Sequence, residues 1–275
     1  MPILNKDMQL CISISARPSN IGTRFHNYLY EELGLNLIYK GFAVDDAEGA
    51  VRGIRALKIR GAAVSMPHKE AVIPFMDEMD PSAAAIDAVN TIVNTDGYLK
   101  AYNTDYTAVV SALAQHGVDR NSSVLLRGSG GMAKAVIAAF KDSGFEELTI
   151  ASRNEVAGKA LAQKYGYKWV SESDLETIDS RQVIVNVTPV GMSGGNEGQL
   201  SFPVHLIKAA ALVFEVIAMP EETPLVLAAI AAGKEVITGI EIMALQAAIQ
   251  FELYTGIKLS EDQVRRASEF SRQPI

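Results

Sequence analysis

Runs of β-branched and other apolar residues alternate with segments whose apolar positions recur at helical spacing, from one end of the 275-residue chain to the other. That alternation is the sequence form of an α/β protein with largely parallel sheets. Strands are predicted at 9–15, 37–44 and 62–66 with helices between them, and Asp45 followed by Glu48 predicts a capping box for the second helix. From 89 to 104, two strand-like runs flank Thr95-Asp96-Gly97, whose Asp-Gly step suits a tight antiparallel hairpin. A helix over 106–116 stops at Gly117, and the polar stretch 119–123 leads into a strand at 124–126.

After Gly131, the residues Met132, Ala135, Val136, Ala139 and Phe140 fall on one helical face, with Gly144 as the stop. Strands at 147–151, 168–170, 183–188, 212–217 and 235–238 follow, with helices at 155–165 and 224–232. Apolar runs such as Val183-Ile184-Val185 predict a parallel sheet buried on both faces. The chain ends in helices: one over 241–255 with Gly256 as C′, then one from Ser260, whose spacing to Gln263 suits a capping box. With no strand left to build on, these helices are predicted to return to the first domain. The expected architecture is therefore α/β with two domains, one of residues 1–104 plus 240–275 and a Rossmann-type one of residues 105–239.

Composition narrows the function. With 48% hydrophobic and 21% charged residues the chain can bury a sizeable core. Lys plus Arg total 25 against 32 Asp plus Glu, a net charge of −7, so the total carries no footprint for nucleic acid or an anionic membrane. Cys11 is the only cysteine, which excludes an intramolecular disulfide and a multi-cysteine zinc site and fits a reducing compartment. The longest apolar stretch, 225–232, is far short of the ~20 residues that cross a bilayer, and the first fifteen residues lack a signal-peptide pattern. A cytoplasmic protein is expected, monomer or homodimer, acting on a small molecule.

The most specific motif is Gly128-Ser129-Gly130-Gly131-Met132-Ala133, a G-x-G-x-x-A run between a strand and a helix. Gly128 permits the tight turn, Gly130 lets the backbone approach a pyrophosphate, and Ala133 lets helix and strand pack closely. The free N–H groups of the helix start then face the anion. Arg127, just before the first glycine, either reaches a phosphate or snorkels. At the end of the next strand stand Ser152-Arg153-Asn154: no carboxylate for the ribose of NAD, and an arginine fork suited to the 2′-phosphate of NADP, with Lys159 six residues on to add charge. The plain alternative is a solvated surface arginine.

Nicotinamide chemistry moves a hydride, so the alcohol proton needs a separate acid and base. Lys69 and Asp105, both in strand-to-helix connections, are the candidates. Read alone, Lys69 is a surface lysine and Asp105 an N-cap for the helix from Tyr106. His68 is a rival by intrinsic pKa, but it faces away from Lys69 in an extended segment. The histidines at 26, 68, 116 and 205 lack metal-ligand spacing, no metal is expected, and Ser129 is not in a nucleophile elbow.

Taken together the residues resemble the shikimate dehydrogenase family, and more closely its shikimate dehydrogenase-like branch, over nearly the whole chain. The markers include His26-Asn27, Val64-Ser65-Met66-Pro67-His68-Lys69, Ala88-Val89-Asn90-Thr91, Asn103-Thr104-Asp105, the glycine turn, Ser152-Arg153-Asn154, Asn186-Val187-Thr188-Pro189-Val190-Gly191-Met192, Thr223-Pro224-Leu225, Gly239 and Gln246. The resemblance implies reversible NADP-linked oxidation of the 3-hydroxyl of shikimate, a step of aromatic amino acid biosynthesis, with Lys69 and Asp105 catalytic. It implies Ser65, Asn90 and Gln246 at the substrate's hydroxyls, and Gly128, Ser129, Gly130, Gly131, Met132, Ser152, Arg153, Asn154, Val216 and Gly239 at the cofactor. The family's two carboxylate-binding serines fall on Asn20 and Gly22, although Ser13 and Ser15 lie nearby. Its substrate-contacting tyrosine falls on Ala218, and a neighbouring aspartate is Glu215. These departures keep open a quinate or other polyol-acid dehydrogenase, the use of NAD, and a non-catalytic sensor of a dinucleotide or metabolite.

Overall fold

The computed structural model describes residues 3–274. Its elements run β1 (Gln9–Ser15), α1 (Asn20–Glu32), β2 (Leu37–Ala43), α2 (Ala47–Ala56), β3 (Gly61–Val64), β4 (Glu78–Met79), α3 (Pro81–Ala84), β5 (Thr91–Thr95), β6 (Tyr98–Tyr102) and α4 (Thr104–Gln115). Then follow β7 (Val124–Arg127), α5 (Gly131–Asp142), β8 (Leu148–Ser152), α6 (Glu155–Tyr165), β9 (Lys168–Ser171), β10 (Val183–Asn186), α7 (Val204–Ala209), β11 (Leu212–Glu215), α8 (Pro224–Ala231), β12 (Glu235–Ile237), α9 (Gly239–Thr255) and α10 (Glu261–Arg272). The chain divides into two units, Met1–Thr107 with Ala244–Ile275, and Ala108–Met243.

In the first unit the sheet order is β2-β1-β3-β5-β6-β4. β2, β1 and β3 are parallel, while β5 runs antiparallel to both β3 and β6. The β5–β6 hairpin turns on Asp96 and Gly97, both at positive φ (53° and 93°), the backbone that an Asp-Gly step adopts at least cost. One face of this sheet buries Ile12, Ile14, Ala62 and Val64 against Val51 and Ile54 of α2. The other face buries Cys11, Tyr39 and Val93 against Phe25 and Leu29 of α1 and Phe251, Tyr254 and Ala267 of the C-terminal helices. The last two helices thus complete the core of the unit in which the chain began. Gly61 makes room for one of them, since a Cβ there would lie 2.2 Å from a Tyr254 ring carbon.

The second unit is a six-stranded sheet, β12-β11-β10-β7-β8-β9, parallel throughout. That order is the doubly wound arrangement in which the first strand lies at the centre and its C-terminal end faces the ligand. β8, β10 and β11 are buried along their whole length, as their apolar runs predict.

Several boundaries shift. The cap of α2 is Asp46 and not Asp45: the helix begins at Ala47, and the Asp46 carboxylate accepts from Gly49 N at 2.9 Å. The box at Ser260 and Gln263 is present. β3, β10 and β11 stop at Val64, Asn186 and Glu215, short of the apolar runs that predicted them, because the residues beyond leave their sheets as loops. β4, α3 and α7 have two, four and six residues, too short for a periodicity to show. No helix among the described residues is long and apolar enough to cross a membrane, and those residues hold no cluster of three potential metal ligands.

Candidate active site

In the first unit, the segment that leaves β3 carries Ser65, exposed, and then Lys69. The Lys69 carbonyl accepts from Val89 N–H at 2.8 Å, which sets this segment beside the residues that enter β5. Lys69 Nζ donates to Asp105 Oδ2 at 2.6 Å, with side-chain exposures of 32% and 18%, so the pair is sheltered yet reachable. Asp105 stands in the first turn of α4 without capping it. That task falls to Asn103, whose Oδ1 accepts from Tyr106 N at 3.0 Å, and Asp105 is left to hold the ammonium.

Asn90 and Gln246 meet at Thr104, the residue before Asp105 and one that the sequence reading did not single out. Asn90 Oδ1 accepts from Thr104 N–H at 2.7 Å and from its hydroxyl at 3.1 Å, and that hydroxyl also lies 3.2 Å from Gln246 Oε1. Gln250, one turn further along α9, donates to Thr91 Oγ1 at 2.9 Å. Lys69 and Asp105 thus form one pair, and Asn90, Thr104 and Gln246 a hydrogen-bonded set that meets it only through the Thr104–Asp105 peptide, from positions far apart along the chain. The only earlier sign of Thr104 was its place inside the Asn103-Thr104-Asp105 marker.

Asn20 and Gly22 occupy the first turn of α1, whose N-cap Ser19 makes no side-chain cap bond. Ser15 Oγ is buried without a partner at the end of β1. His68 is 5% exposed and its Nε2–H donates to the Val44 carbonyl at 2.8 Å, so it is spent on the fold. His26 stacks on Tyr39 with ring centroids 4.5 Å apart, and burial pushes its pKa down to about 3, keeping it neutral. Asn27 beside it ties α1 to β2: its Nδ2 donates to Tyr39 O at 2.8 Å and its Oδ1 accepts from Tyr39 N–H at 2.9 Å. The His26-Asn27 marker is thus structural.

In the second unit, a cavity of about 460 Å³ opens over the C-terminal ends of β7, β8 and β10. Gly128, Ser129, Gly130, Ser152, Arg153 and Asn154 line it, together with Val187-Thr188-Pro189-Val190. Gly128 has φ +128°, and a Cβ on it would lie 2.8 Å from Val187 Cγ2, so the turn requires glycine. Cβ positions on Gly130 and Gly131 meet nothing within 4 Å, and Gly130 caps α5 with no side-chain bond. Ala133 N–H donates to the Gly130 carbonyl at 3.1 Å, and no side chain caps the start of α5, which leaves room there for an anion. Gly131 and Met132 begin that helix. Val216 and Gly239 do not line the cavity but meet each other: a Cβ on Gly239 would lie 2.6 Å from Val216 C, so glycine lets α9 start against the loop after β11.

Three cations were candidates for phosphate at this wall. Arg127 lines the cavity but does not snorkel to solvent, and its guanidinium is already bound by Glu172 and the Ser201 carbonyl. Lys159 pairs with Glu155 at 2.6 Å and lies over the Trp169 ring, so its charge is committed along α6. Arg153 is exposed at the cavity and has no ion pair among the described residues.

Known proteins share the family and the fold of this chain. Residues 19–92 match the model of the shikimate dehydrogenase substrate-binding domain. The chain is 52% identical to a shikimate dehydrogenase-like protein of Haemophilus influenzae over 98% of its own length and 99% of that protein's. It is 34% identical to a shikimate dehydrogenase (NADP(+)) of Streptococcus uberis, covering 93% of this chain and 94% of that one. Among solved structures, the shikimate 5-dehydrogenase of Thermus thermophilus in complex with NADP(H) and shikimate superposes with a TM-score of 0.85 at 26% identity, covering 96% of this chain and 100% of that one. The chain belongs to the shikimate dehydrogenase family.

Proposed function

We propose that the protein is an NADP-dependent oxidoreductase that interconverts shikimate and 3-dehydroshikimate. The observation that carries the proposal is the Lys69–Asp105 pair, 2.6 Å apart, with Thr104, the residue before Asp105, bonded to Asn90 and Gln246. When bound, NADP+ supplies the acceptor for the hydride that leaves the carbon of the alcohol. The chain supplies the proton path: Lys69 Nζ exchanges a proton with the reacting oxygen, and Asp105 Oδ2 orients the ammonium and offsets its charge. Ser65, Asn90 and Gln246 offer the hydroxyl, amide and carbonyl groups that hold a polyol.

The residues of the second unit suit the cofactor. A helix start with no side-chain cap, two unobstructed glycines and an unpaired Arg153 match a pyrophosphate and a 2′-phosphate. The lone, buried Cys11 and the acidic balance support a cytoplasmic enzyme of small-molecule metabolism.

A substrate panel tests the proposal. Purified protein is expected to reduce NADP+ with shikimate, and faster than it reduces NAD+. A preference for quinate would move the reading within the family. Binding of NADPH with no turnover of any cyclic hydroxy acid would favour a sensor and contradict the proposal.

A further inference from the structure

β7, β10 and β11 run parallel and in register, so Arg127, Asn186 and Glu215 form one row at their C-terminal ends. Glu215 is fully buried there. Asn186 Nδ2 donates to its two oxygens at 3.0 and 3.1 Å, Ile217 N–H to Oε1 at 3.1 Å, and the Thr223 hydroxyl to Oε2 at 3.1 Å. None of these partners titrates. Of the charged groups on neighbouring elements, Arg127 is held by Glu172 and the Ser201 carbonyl, Glu235 of β12 turns to His116, and α8 carries no charge.

The consequence falls on Asn186. An amide has a donor end and an acceptor end of similar size, and its surroundings decide which faces where. A carboxylate accepts only, so the Asn186 NH2 must face Glu215 and its Oδ1 must face the loop after β10. There Oδ1 accepts from Thr188 N–H at 3.1 Å and from the Thr188 hydroxyl at 2.7 Å. Nδ2 also donates to the Val190 carbonyl at 3.2 Å, and Thr188 Oγ1 accepts from Val190 N–H at 3.2 Å. Thr188 and Val190 line the cavity beside Gly128 and Arg153.

We propose that Glu215 is a positioning residue for the dinucleotide: its buried carboxylate fixes the orientation of the Asn186 amide and, through it, the loop 187–190 that walls the cofactor cavity. The inference rests on reading that cavity as the NADP site. Burial pushes the Glu215 carboxyl up to about 7, against the donors from Ile217, Asn186 and Thr223 that pull it down. Protonation would place a hydroxyl where Asn186 and Thr223 already donate, so the network holds as described only while Glu215 is ionised. NADP binding accordingly weakens as the pH falls through that value, and bound NADP lowers the pKa of Glu215 by linkage.

The test compares NADPH dissociation constants of the wild type and Glu215→Gln by cofactor fluorescence at about pH 6 and pH 8. The 2′-phosphate itself titrates near pH ~6, so the ratio of the two proteins is the quantity read. The variant is expected to bind about tenfold more weakly at the higher pH and within about twofold at the lower, as loss of one oriented hydrogen-bond set implies. Its KM for NADP rises while kcat at saturation changes by less than about threefold, and Glu215→Asp recovers part of the affinity. Independently of whether the variants fold, the Glu215 carboxyl titration of the wild type, followed by 13C NMR, is expected to move to lower pH on saturation with NADP+. An equal ratio at both pH values, or a titration that does not move downward, overturns the role of Glu215 and leaves the cavity reading intact. Failure of the wild type to bind NADPH removes both.

Discussion

At the residue scale, the cofactor's 2′-phosphate separates residues that look alike in the sequence. Arg153 and Lys159 are both cations just past β8, but Lys159 is paired with Glu155 and stacked on Trp169 while Arg153 is uncommitted. Arg153→Ala is therefore expected to raise KM for NADP by about 10–100-fold, the worth of a charge-assisted hydrogen-bond set, with little change for NAD. Lys159→Ala should leave the ratio of the two cofactors within about twofold. Steady-state kinetics with each cofactor read both results, and a large effect at Lys159 would contradict the assignment. Spacing made Arg153, Lys69 and Asp105 visible as candidates because each sits at a strand end or helix start. What spacing does not carry is who pairs with whom: the Glu172 partner of Arg127 lies forty-five residues away, and nothing local announces it.

At the scale of elements, His116 at the end of α4 joins two carboxylates at once. Its Nδ1 lies 2.7 Å from Glu235 of β12 and its Nε2 2.9 Å from Glu241 in the first turn of α9. Both ring nitrogens must donate, so the arrangement needs the imidazolium. Partial burial lowers the His116 pKa, but Glu235 and Glu241 outweigh it and the net shift is upward. A raised histidine contributes stability that is fully present below the unfolded value near ~6.5 and is lost as the pH rises through the folded pKa. Thermal melts of the wild type and His116→Gln should therefore differ at pH 6 and converge towards pH 9; a constant difference would contradict the imidazolium bridge. Long elements with strong periodicity, such as α5 and α6, were legible within a residue or two, as was the Asp-Gly hairpin. The overshoots at β3, β10 and β11 have one cause. Apolar residues such as Val187 and Ile217 pack in loops as well as in strands, and a run of them does not mark where the sheet ends.

For the molecule as a whole, alternating strands and helices with a glycine turn after β7 were enough to place an α/β chain with a doubly wound sheet, and the relatives agree. The polar group around Thr104 was less legible. It draws on separate stretches of chain, and only the fold brings Lys69 to Asp105 and Asn90 and Gln246 to Thr104. The central claim concerns two of them, an ammonium and a carboxylate that together handle the proton of a hydride transfer. Its most direct test is the rate of NADP+ reduction by shikimate in Lys69→Ala against the wild type, with NADPH affinity measured alongside. The account predicts a loss of about 10²–10⁴ in kcat, the usual worth of a positioned acid–base group, with affinity unchanged. Turnover within a fewfold of wild type in a variant that still binds NADPH would contradict it.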